Sequence, residues 1–221
     1  MEAFIAALGQ SGFSGELDNS NEILDLYSHD ASLFELRPKL VVFPRSVADL
    51  NRLVETVNRC RPAIPDLSLT ARSAGTCMSG GAIGESVVVD FARHLNTLEN
   101  VEDFSARTQP GVLYRDFEKA TLLKGALLPT FPASRELASI GGMVANNAGG
   151  EKSLQYGKTE DYVQRLDMVL SDGRSYTFKP LSREALEGKK SQNDFEGEVY
   201  RRMYELLERN YEAVKAAKPK V

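Results

Sequence analysis

The chain has 221 residues and a formal net charge of −4, with 42% hydrophobic and 26% charged residues. This length allows one large domain or two lobes around a real core. The acidic balance argues against a nucleic-acid-binding protein, which normally carries a basic face, but a local loop can still bind one small anion.

The first predicted elements are a strand and a helix. An apolar strand is predicted over residues 40–43. Ser46 then has the pattern of a helix N-cap, with Asp49 three residues on as in a capping box. Apolar residues follow at helical spacing as far as Val57, so we expect this helix to bury one stripe.

Two further strands are separated by the first of two runs of small residues. A strand over residues 67–71 leads directly into the run RSAGTCMSGGAIG, residues 72–84. The β-branched residues 86–90 come next and are the best candidate for a fully buried strand. Strand, helix, strand, loop and strand together predict a βαβ-type opening with parallel strand pairing.

A second unit repeats the strand and helix and contains the second run. A strand is predicted over residues 106–109, and an amphipathic helix over residues 113–123 ends with Gly125 as its C′ residue. The run PASRELASIGGMVANNAGG, residues 132–150, follows. Its middle has the beginnings of a helix but almost no side-chain bulk, so we expect close packing or a ligand there.

The last third of the chain predicts a hairpin and a terminal helix. A long strand is predicted over residues 161–170, and Asp172-Gly173 favours a type I′ turn into a returning strand at 176–178. Residues 195–217 have helical periodicity with one apolar side. That side is expected to pack either on its own domain or on a partner.

Cysteine usage and the absence of targeting patterns bear on location. Cys60 and Cys77 have no neighbours at metal-ligand spacing, so we expect no disulfide framework and no metal, in a reducing cytoplasmic setting. The first ten residues lack the basic region of a signal peptide. No stretch approaches the roughly 18 apolar residues of a membrane span. Peripheral attachment to a membrane through a partner stays open.

The two runs have the composition of a nucleotide cleft. Backbone without bulky side chains can approach a ligand and present N–H groups to phosphate oxygens. Gly75 and Gly80 have Walker A spacing, but Gly81-Ala82 stands where lysine and Ser/Thr are required. The Rossmann pattern is also absent. Alone, the first run is a turn or a pyrophosphate cradle. Asn146-Asn147 in the second run is not explained by packing alone and favours the cleft.

Eleven motifs around these runs occur in a recognisable order. They are Val41–Ser46, Arg72–Thr76, Ser79–Gly81, Pro110-Gly111, Pro129, Pro132–Ser134, Ser139–Gly142, Asn146–Gly150, Tyr156-Gly157, Asp161 and Asp172-Gly173. In this order they resemble the FAD-binding domain of the vanillyl-alcohol oxidase and p-cresol methylhydroxylase (PCMH-type) superfamily, and within it the glycolate and D-lactate dehydrogenase-like flavoproteins. The resemblance covers roughly residues 38–181.

The resemblance implies an α+β fold of the PCMH type, with two α+β lobes and FAD between them. Residues 1–37 would be an N-terminal extension, 38–181 the FAD-binding domain and 182–221 a C-terminal helical segment. The first run would wrap the pyrophosphate through backbone N–H groups and two hydroxyls. The second run would line the ribityl and pyrophosphate side and approach the flavin, and a valine would pack near the adenine. The implied residues are Arg72, Ser73, Ala74, Gly75, Thr76, Cys77, Ser79 and Gly80; Pro132, Ala133, Ser134, Ser139, Ile140, Gly141 and Gly142; Asn146, Ala148 and Gly149; and Val163.

Two departures from the family pattern refine the cofactor site. Family members that attach FAD covalently through the first loop have a histidine after the glycines. Thr76 stands there in this chain, and the only histidines, His29 and His94, lie outside both runs. We therefore expect non-covalent FAD. Cys77 is expected to be a small residue that fills a tight loop rather than a redox group.

The family implies a dehydrogenase of a D-2-hydroxy acid of the lactate, glycolate or 2-hydroxyglutarate type, with an unspecified electron acceptor. In the family, a following cap domain supplies the groups that bind the small-molecule substrate. This sequence has no such cluster, so we assign no catalytic residue and expect an inactive fragment or one piece of a split enzyme. Two alternatives stay open: the flavin domain of a UDP-N-acetylenolpyruvoylglucosamine reductase-like enzyme, and a non-catalytic module that docks a partner through the terminal helix.

Overall fold

The computed structural model describes residues 1–217; residues 218–221, the end of the predicted segment 182–221, lie outside the described part. The chain divides into two compact units, Met1–Val163 and a second beginning at Gln164. Within the described residues, every helix is too short or too polar to traverse a bilayer.

The elements alternate along the chain in a mixed order. The helices are α1 (Glu2–Gln10), α2 (Asn21–Leu26), α3 (Val47–Cys60), α4 (Tyr114–Leu122), α5 (Ile140–Ala145), α6 (Ser153–Tyr156), α7 (Arg183–Ser191), α8 (Phe195–Arg209) and α9 (Tyr211–Ala217). The strands are β1 (Glu16–Asp18), β2 (Leu40–Phe43), β3 (Leu69–Arg72), β4 (Val87–Asp90), β5 (Leu98–Val101), β6 (Ala106–Thr108), β7 (Leu166–Val169) and β8 (Ser175–Phe178). A 3-10 turn covers Thr159–Tyr162.

A four-stranded sheet in the order β1-β2-β4-β3 forms the centre of the first unit. Both β2 and β3 run parallel to β4, which confirms the predicted parallel pairing. All four residues of β4 are buried, as the β-branched run predicts, because this strand lies between two neighbours. The edge strand β1 pairs antiparallel with β2.

Helix α3 begins at the predicted cap. The Ser46 hydroxyl accepts the N–H of Asp49 at 3.2 Å. The buried Asp49 carboxylate accepts the backbone N–H groups of Ser14 at 2.8 Å and Arg45 at 3.0 Å. Although burial alone raises it, these hydrogen bonds hold the pKa of Asp49 below its ordinary value. Asp49 therefore ties Ser14 to the start of α3.

Residues 1–37 are integral to the core of this unit. Phe4 and Leu8 of α1 are fully buried against Leu53 and Val57 of α3. Strand β1 has a single apolar residue, Leu17, so no alternation in the sequence marks it as a strand.

The middle of the chain forms a smaller antiparallel pair and helix α4. Strand β6 is close to its predicted place, whereas β5, whose central residues are polar and exposed, was not predicted. Helix α4 ends as expected at Gly125, which has a φ of +71°. The N–H of Gly125 donates to Leu122 O at 2.9 Å and that of Ala126 to Thr121 O at 3.1 Å, the two bonds of a Schellman motif.

The second unit contains the hairpin β7–β8, and two predictions about it are wrong. Residues 161–165 do not continue the strand, because the carboxylate of Asp161 accepts the N–H of Lys158 at 2.9 Å and stabilises the 3-10 turn instead. The turn is not type I′, which needs two positive φ values. Gly173 has a φ of +83°, and Asp172 does not share the positive sign. A three-residue loop with a left-handed glycine fits this geometry.

The predicted terminal helix is divided at Asn210 into α8 and α9. One side of α8 packs on the hairpin, with the rings of Tyr200 and Phe178 5.9 Å apart and those of Phe195 and Tyr176 6.3 Å apart. The apolar residues on its other side and on α9 are exposed: Met203, Leu206, Leu207, Tyr211 and Val214.

Candidate functional site

The first run leaves the central sheet at the carboxyl end of β3. The carbonyl of Arg72, the last residue of that strand, accepts the N–H of Phe91 at 2.9 Å. Phe91 directly follows β4, so the run starts at the carboxyl edge of two parallel strands. Open α/β sheets bind ligands at this edge.

The backbone of the first run depends on left-handed glycines. Gly75 and Gly80 have φ values of +67° and +78°, a region that other residues rarely adopt. The hydroxyl oxygen of Ser73 is buried and has no hydrogen-bond partner among the described residues. Buried hydroxyls are nearly always hydrogen-bonded in folded proteins, so the Ser73 hydroxyl is an exception within this loop.

Cys77 lies inside the loop. Its Sγ is 3.2 Å from the Ser79 hydroxyl oxygen and also 3.2 Å from the position that a Cβ on Gly81 would occupy. Hydrogen bonds from the Ser79 hydroxyl and from the N–H groups of Ser79 and Gly81 lower the pKa of the Cys77 thiol. A side chain at position 81 would therefore press on this sulfur.

The side chain of Arg72 lies between the loop and residues 27–29: its Nη1 is 3.4 Å from Ala82 O, and its Nη2 is 2.6 Å from the position that a Cβ on Gly75 would occupy. Its guanidinium donates to the carbonyl of His29 at 2.6 Å and lies 4.9 Å from the centre of the Tyr27 ring. Burial lowers the pKa of this guanidinium. The Arg72 guanidinium therefore joins the loop to residues 27–29.

The second run begins as the capped helix α5. The Ser139 hydroxyl accepts the N–H of Gly142 at 3.1 Å, a typical N-cap. The N–H of Gly141 donates to Pro110 O at 2.8 Å, and a Cβ on Gly141 would collide with the Pro110 ring. Glycine is required at 141 because two backbone segments touch there.

At the end of the second run, the structure explains the presence of Asn147. Asn147, with a φ of +44°, is the only non-glycine residue of positive φ within residues 1–217. It ends α5, since its N–H donates to Val144 O at 3.2 Å and that of Ala148 to Met143 O at 2.8 Å. Its Oδ1 also accepts the N–H of Glu160 at 3.0 Å. Asn146 is exposed and stays available to a ligand.

Thr130, which was not predicted from the sequence, has a buried hydroxyl without a hydrogen-bond partner among the described residues, as Ser73 does. Its side chain is fully buried, and its hydroxyl has no hydrogen-bond partner in the described part of the chain. The neighbouring Phe131 carbonyl packs directly on Gly150, the last residue of the second run. A hydroxyl within an otherwise apolar, proline-rich stretch was the only available signal.

Backbone contacts join the two runs through the segment that follows β4. Gly111 donates its N–H to Leu95 O at 2.7 Å and packs against the carbonyl of Phe91. Phe91 bonds to Arg72 at the start of the first run, and the adjoining Pro110 bonds to Gly141 in the second. Both runs therefore belong to one continuous network within the first unit. Val163 follows the 3-10 turn at the end of that unit, half-buried.

The imidazoles of the two histidines bond to residues outside both runs. The imidazole of His29 bonds to the Ser28 hydroxyl at 2.7 Å, and His94 bonds to Glu16 at 2.8 Å. Among residues 1–217, no three His, Cys, Asp or Glu side chains are grouped so that they could hold a metal ion. The geometry supports a ligand cradle built mainly of backbone.

Comparison with known sequences gives one family and several relatives. Residues 38–179 match the family described as an FAD binding domain. A D-2-hydroxyglutarate dehydrogenase of Pseudomonas putida is 30% identical over 220 residues, which are 99% of this chain and 22% of that protein. The glycolate oxidase subunit GlcD of Bacillus subtilis is 33% identical over 176 residues, 78% of this chain and 36% of that protein. The chain spans 22% and 36% of the length of these two relatives.

Solved structures share the fold at lower identity. An alkyldihydroxyacetonephosphate synthase superposes with a TM-score of 0.69 at 20% identity, covering 89% of this chain and 37% of that one. 6-Hydroxy-D-nicotine oxidase of Arthrobacter nicotinovorans gives a TM-score of 0.66 at 20% identity, covering 80% of this chain and 38% of that one. These likenesses confirm the fold that the sequence motifs imply.

Proposed function

The chain belongs to the FAD binding domain family, and from this membership we propose that it is the FAD-holding part of a dehydrogenase that oxidises a D-2-hydroxy acid. The observation that carries the proposal is the family match over residues 38–179, which contains both small-residue runs. The choice of a hydroxy acid rests on the names of the relatives, a D-2-hydroxyglutarate dehydrogenase and a glycolate oxidase subunit.

The residues of the first unit fit the cofactor. The left-handed Gly75 and Gly80 allow backbone N–H groups of the first run to surround a pyrophosphate. The start of α5, residues 139–142, would line the same ligand. Thr76 gives no site for covalent attachment, so FAD would be held without a bond.

The division of labour between cofactor and protein follows from this arrangement. Bound FAD supplies the acceptor for the hydride that a 2-hydroxy acid loses from its α-carbon. The described residues hold and orient the cofactor and shield its phosphates from water. We propose that the base for the hydroxyl proton and the groups that bind the substrate carboxylate come from polypeptide corresponding to the remaining length of the relatives, in the same chain or in a separate subunit.

Titration with FAD tests the cofactor role directly. Flavin fluorescence and the melting temperature of the chain would be followed together, because a ligand that binds only the folded state must stabilise it. At a free FAD concentration 100 times the Kd, the free energy of unfolding should rise by about 2.7 kcal/mol. Absence of both a fluorescence change and a melting shift in the wild-type chain would contradict the proposal.

A pair of cap variants tests the location of the site. Ser139→Ala removes the N-cap of α5, which costs about 1 kcal/mol of stability, and should also weaken FAD binding. Ser182→Ala removes the equivalent cap of α7 in the second unit, where the Ser182 hydroxyl accepts the N–H of Ala185 at 3.2 Å. This control should bind FAD as the wild type does. Equal weakening by both variants would refute the assignment of residues 139–142.

A further inference from the structure

The N-terminal segment Tyr27–Phe34 wraps the first run, although it precedes the residues 38–179 that match the family. The N–H of Ala31 donates to Gly75 O at 2.9 Å. The carboxylate of Asp30 accepts the N–H of Ala82 at 3.4 Å. The Phe34 ring comes within 3.1 Å of the position that a Cβ on Gly80 would occupy. One segment thus contacts the run near its start, in its middle and near its end.

Arg72 strengthens this attachment from the side of the sheet. Its guanidinium donates to His29 O at 2.6 Å and also lies 3.4 Å from the carbonyl oxygens of Tyr27 and Ala82. The Tyr27 hydroxyl donates to the Asp90 carboxylate at the end of β4 at 2.9 Å. The segment is therefore fixed to the sheet and to both ends of the loop.

The contact at Gly75 determines which way the N–H of Thr76 faces. The peptide bonds of the described residues are trans, and a trans peptide directs its C=O and its N–H to opposite sides. Because the Gly75 carbonyl points at Ala31, the N–H of Thr76 in the same peptide plane points away from the segment.

The carboxylate of Asp30 is held in place for its contact with Ala82. The N–H of Ser32 donates to Asp30 Oδ1 at 2.8 Å, which leaves Oδ2 for the N–H of Ala82. Burial alone raises its pKa, but hydrogen bonds from Ser32 and Ala82 and the charge of Arg72 hold the pKa of Asp30 below its ordinary value. At neutral pH the group is a fixed, ionised acceptor.

We propose that Asp30 is a positioning residue for FAD binding, which fixes the first run in its pyrophosphate-binding shape by holding the N–H of Ala82 while the adjoining Ala31 holds the carbonyl of Gly75. The inference rests on the proposed function and extends the cofactor site to a segment outside the matched family range. Asp30 acts through the loop.

Three variants of the full chain test this role by FAD titration. Asp30→Ala removes a charged acceptor and should weaken FAD binding about tenfold. Asp30→Asn keeps one acceptor oxygen where the carboxylate has two, so the N–H groups of Ser32 and Ala82 would compete for it, and the FAD affinity should lie between those of Asp30→Ala and the wild type. Asp25→Ala is the matched control, since its carboxylate lies in the same N-terminal region but bonds to Arg37 at 2.7 Å; its FAD affinity should equal that of the wild type.

Amide hydrogen exchange without FAD provides a second readout. Exchange at Ala82 and across residues 74–82 should accelerate in Asp30→Ala and stay unchanged in Asp25→Ala. Unchanged exchange at Ala82, or FAD affinity of Asp30→Ala equal to or tighter than that of the wild type, would overturn the role of Asp30 while leaving the proposed function intact. Failure of the wild-type chain to bind FAD would instead overturn the proposed function, and the cofactor role of Asp30 with it.

Discussion

Gly75→Ala is the substitution whose cost can be worked out most directly. At a φ of +67°, alanine in the left-handed region costs about 1 kcal/mol. The new Cβ would also lie 2.6 Å from Nη2 and 2.9 Å from Cζ of Arg72, so the guanidinium would have to move and give up its bond to His29 O. Loss of a hydrogen bond from a charged donor adds about 2 kcal/mol. The free energy of unfolding should fall by about 3 kcal/mol.

Gly125→Ala is the matched control for this experiment. Gly125 has almost the same backbone conformation, with a φ of +71°, and no atom lies within 4 Å of the position that a Cβ would occupy there. The free energy of unfolding of Gly125→Ala should fall only by the conformational cost of about 1 kcal/mol. Urea denaturation of both variants, followed by circular dichroism, measures the difference, and FAD titration should show weakened binding for Gly75→Ala alone. Unfolding free energies that agree within about 0.5 kcal/mol would refute the argued contact with Arg72.

Two further predictions concern pH and the cofactor bond. Hydrogen bonds from Arg45, His94 and Arg93 lower the pKa of Glu16 from 4.5 to about 2; a group with a lowered folded-state pKa stabilises the fold above its unfolded pKa and loses that effect as pH falls. The advantage of the wild type over Glu16→Gln in unfolding free energy should therefore shrink between about pH 5 and pH 2, and an advantage that is constant across this range would contradict it. Acid precipitation of the FAD-loaded protein should leave all yellow colour in the supernatant, because Thr76 offers no ring nitrogen for attachment; flavin retained on the precipitated chain would disprove non-covalent binding.

The parts of the fold that were predictable are those governed by local chemistry. The buried β-branched strand at residues 87–90, the cap at Ser46 and the left-handed stop at Gly125 follow from side-chain type and spacing alone. Strand β1 was not predictable, because three residues with one apolar side chain carry no pattern and depend on pairing with β2. The prediction of a type I′ turn at Asp172-Gly173 was wrong for a related reason. The dipeptide permits several turn types, and the register of the two strands selects among them.

The cofactor site divides in the same way. The composition of the two runs singles out the segments of the proposed site, since only small residues tolerate the observed contacts and positive φ values. The contribution of Asp30 was hidden, because its contact with Ala82 joins positions 52 residues apart. Thr130 was hidden because a buried hydroxyl without a partner is visible only once the surrounding residues are in place.

The glycines of the two runs are required for different physical reasons. Gly141 and Gly150 pack against the backbone of Pro110 and Phe131, so the fold would need them even if no ligand were bound. Gly75 and Gly80 instead have positive φ values, and a Cβ on them would meet the side chains of Arg72 and Phe34 rather than backbone. Among the described residues, the hydroxyls of Ser73 and Thr130 are also buried without a hydrogen-bond partner. The proposed binding of an anionic ligand therefore depends on the first run, whereas the glycines of the second run are required for packing on neighbouring backbone.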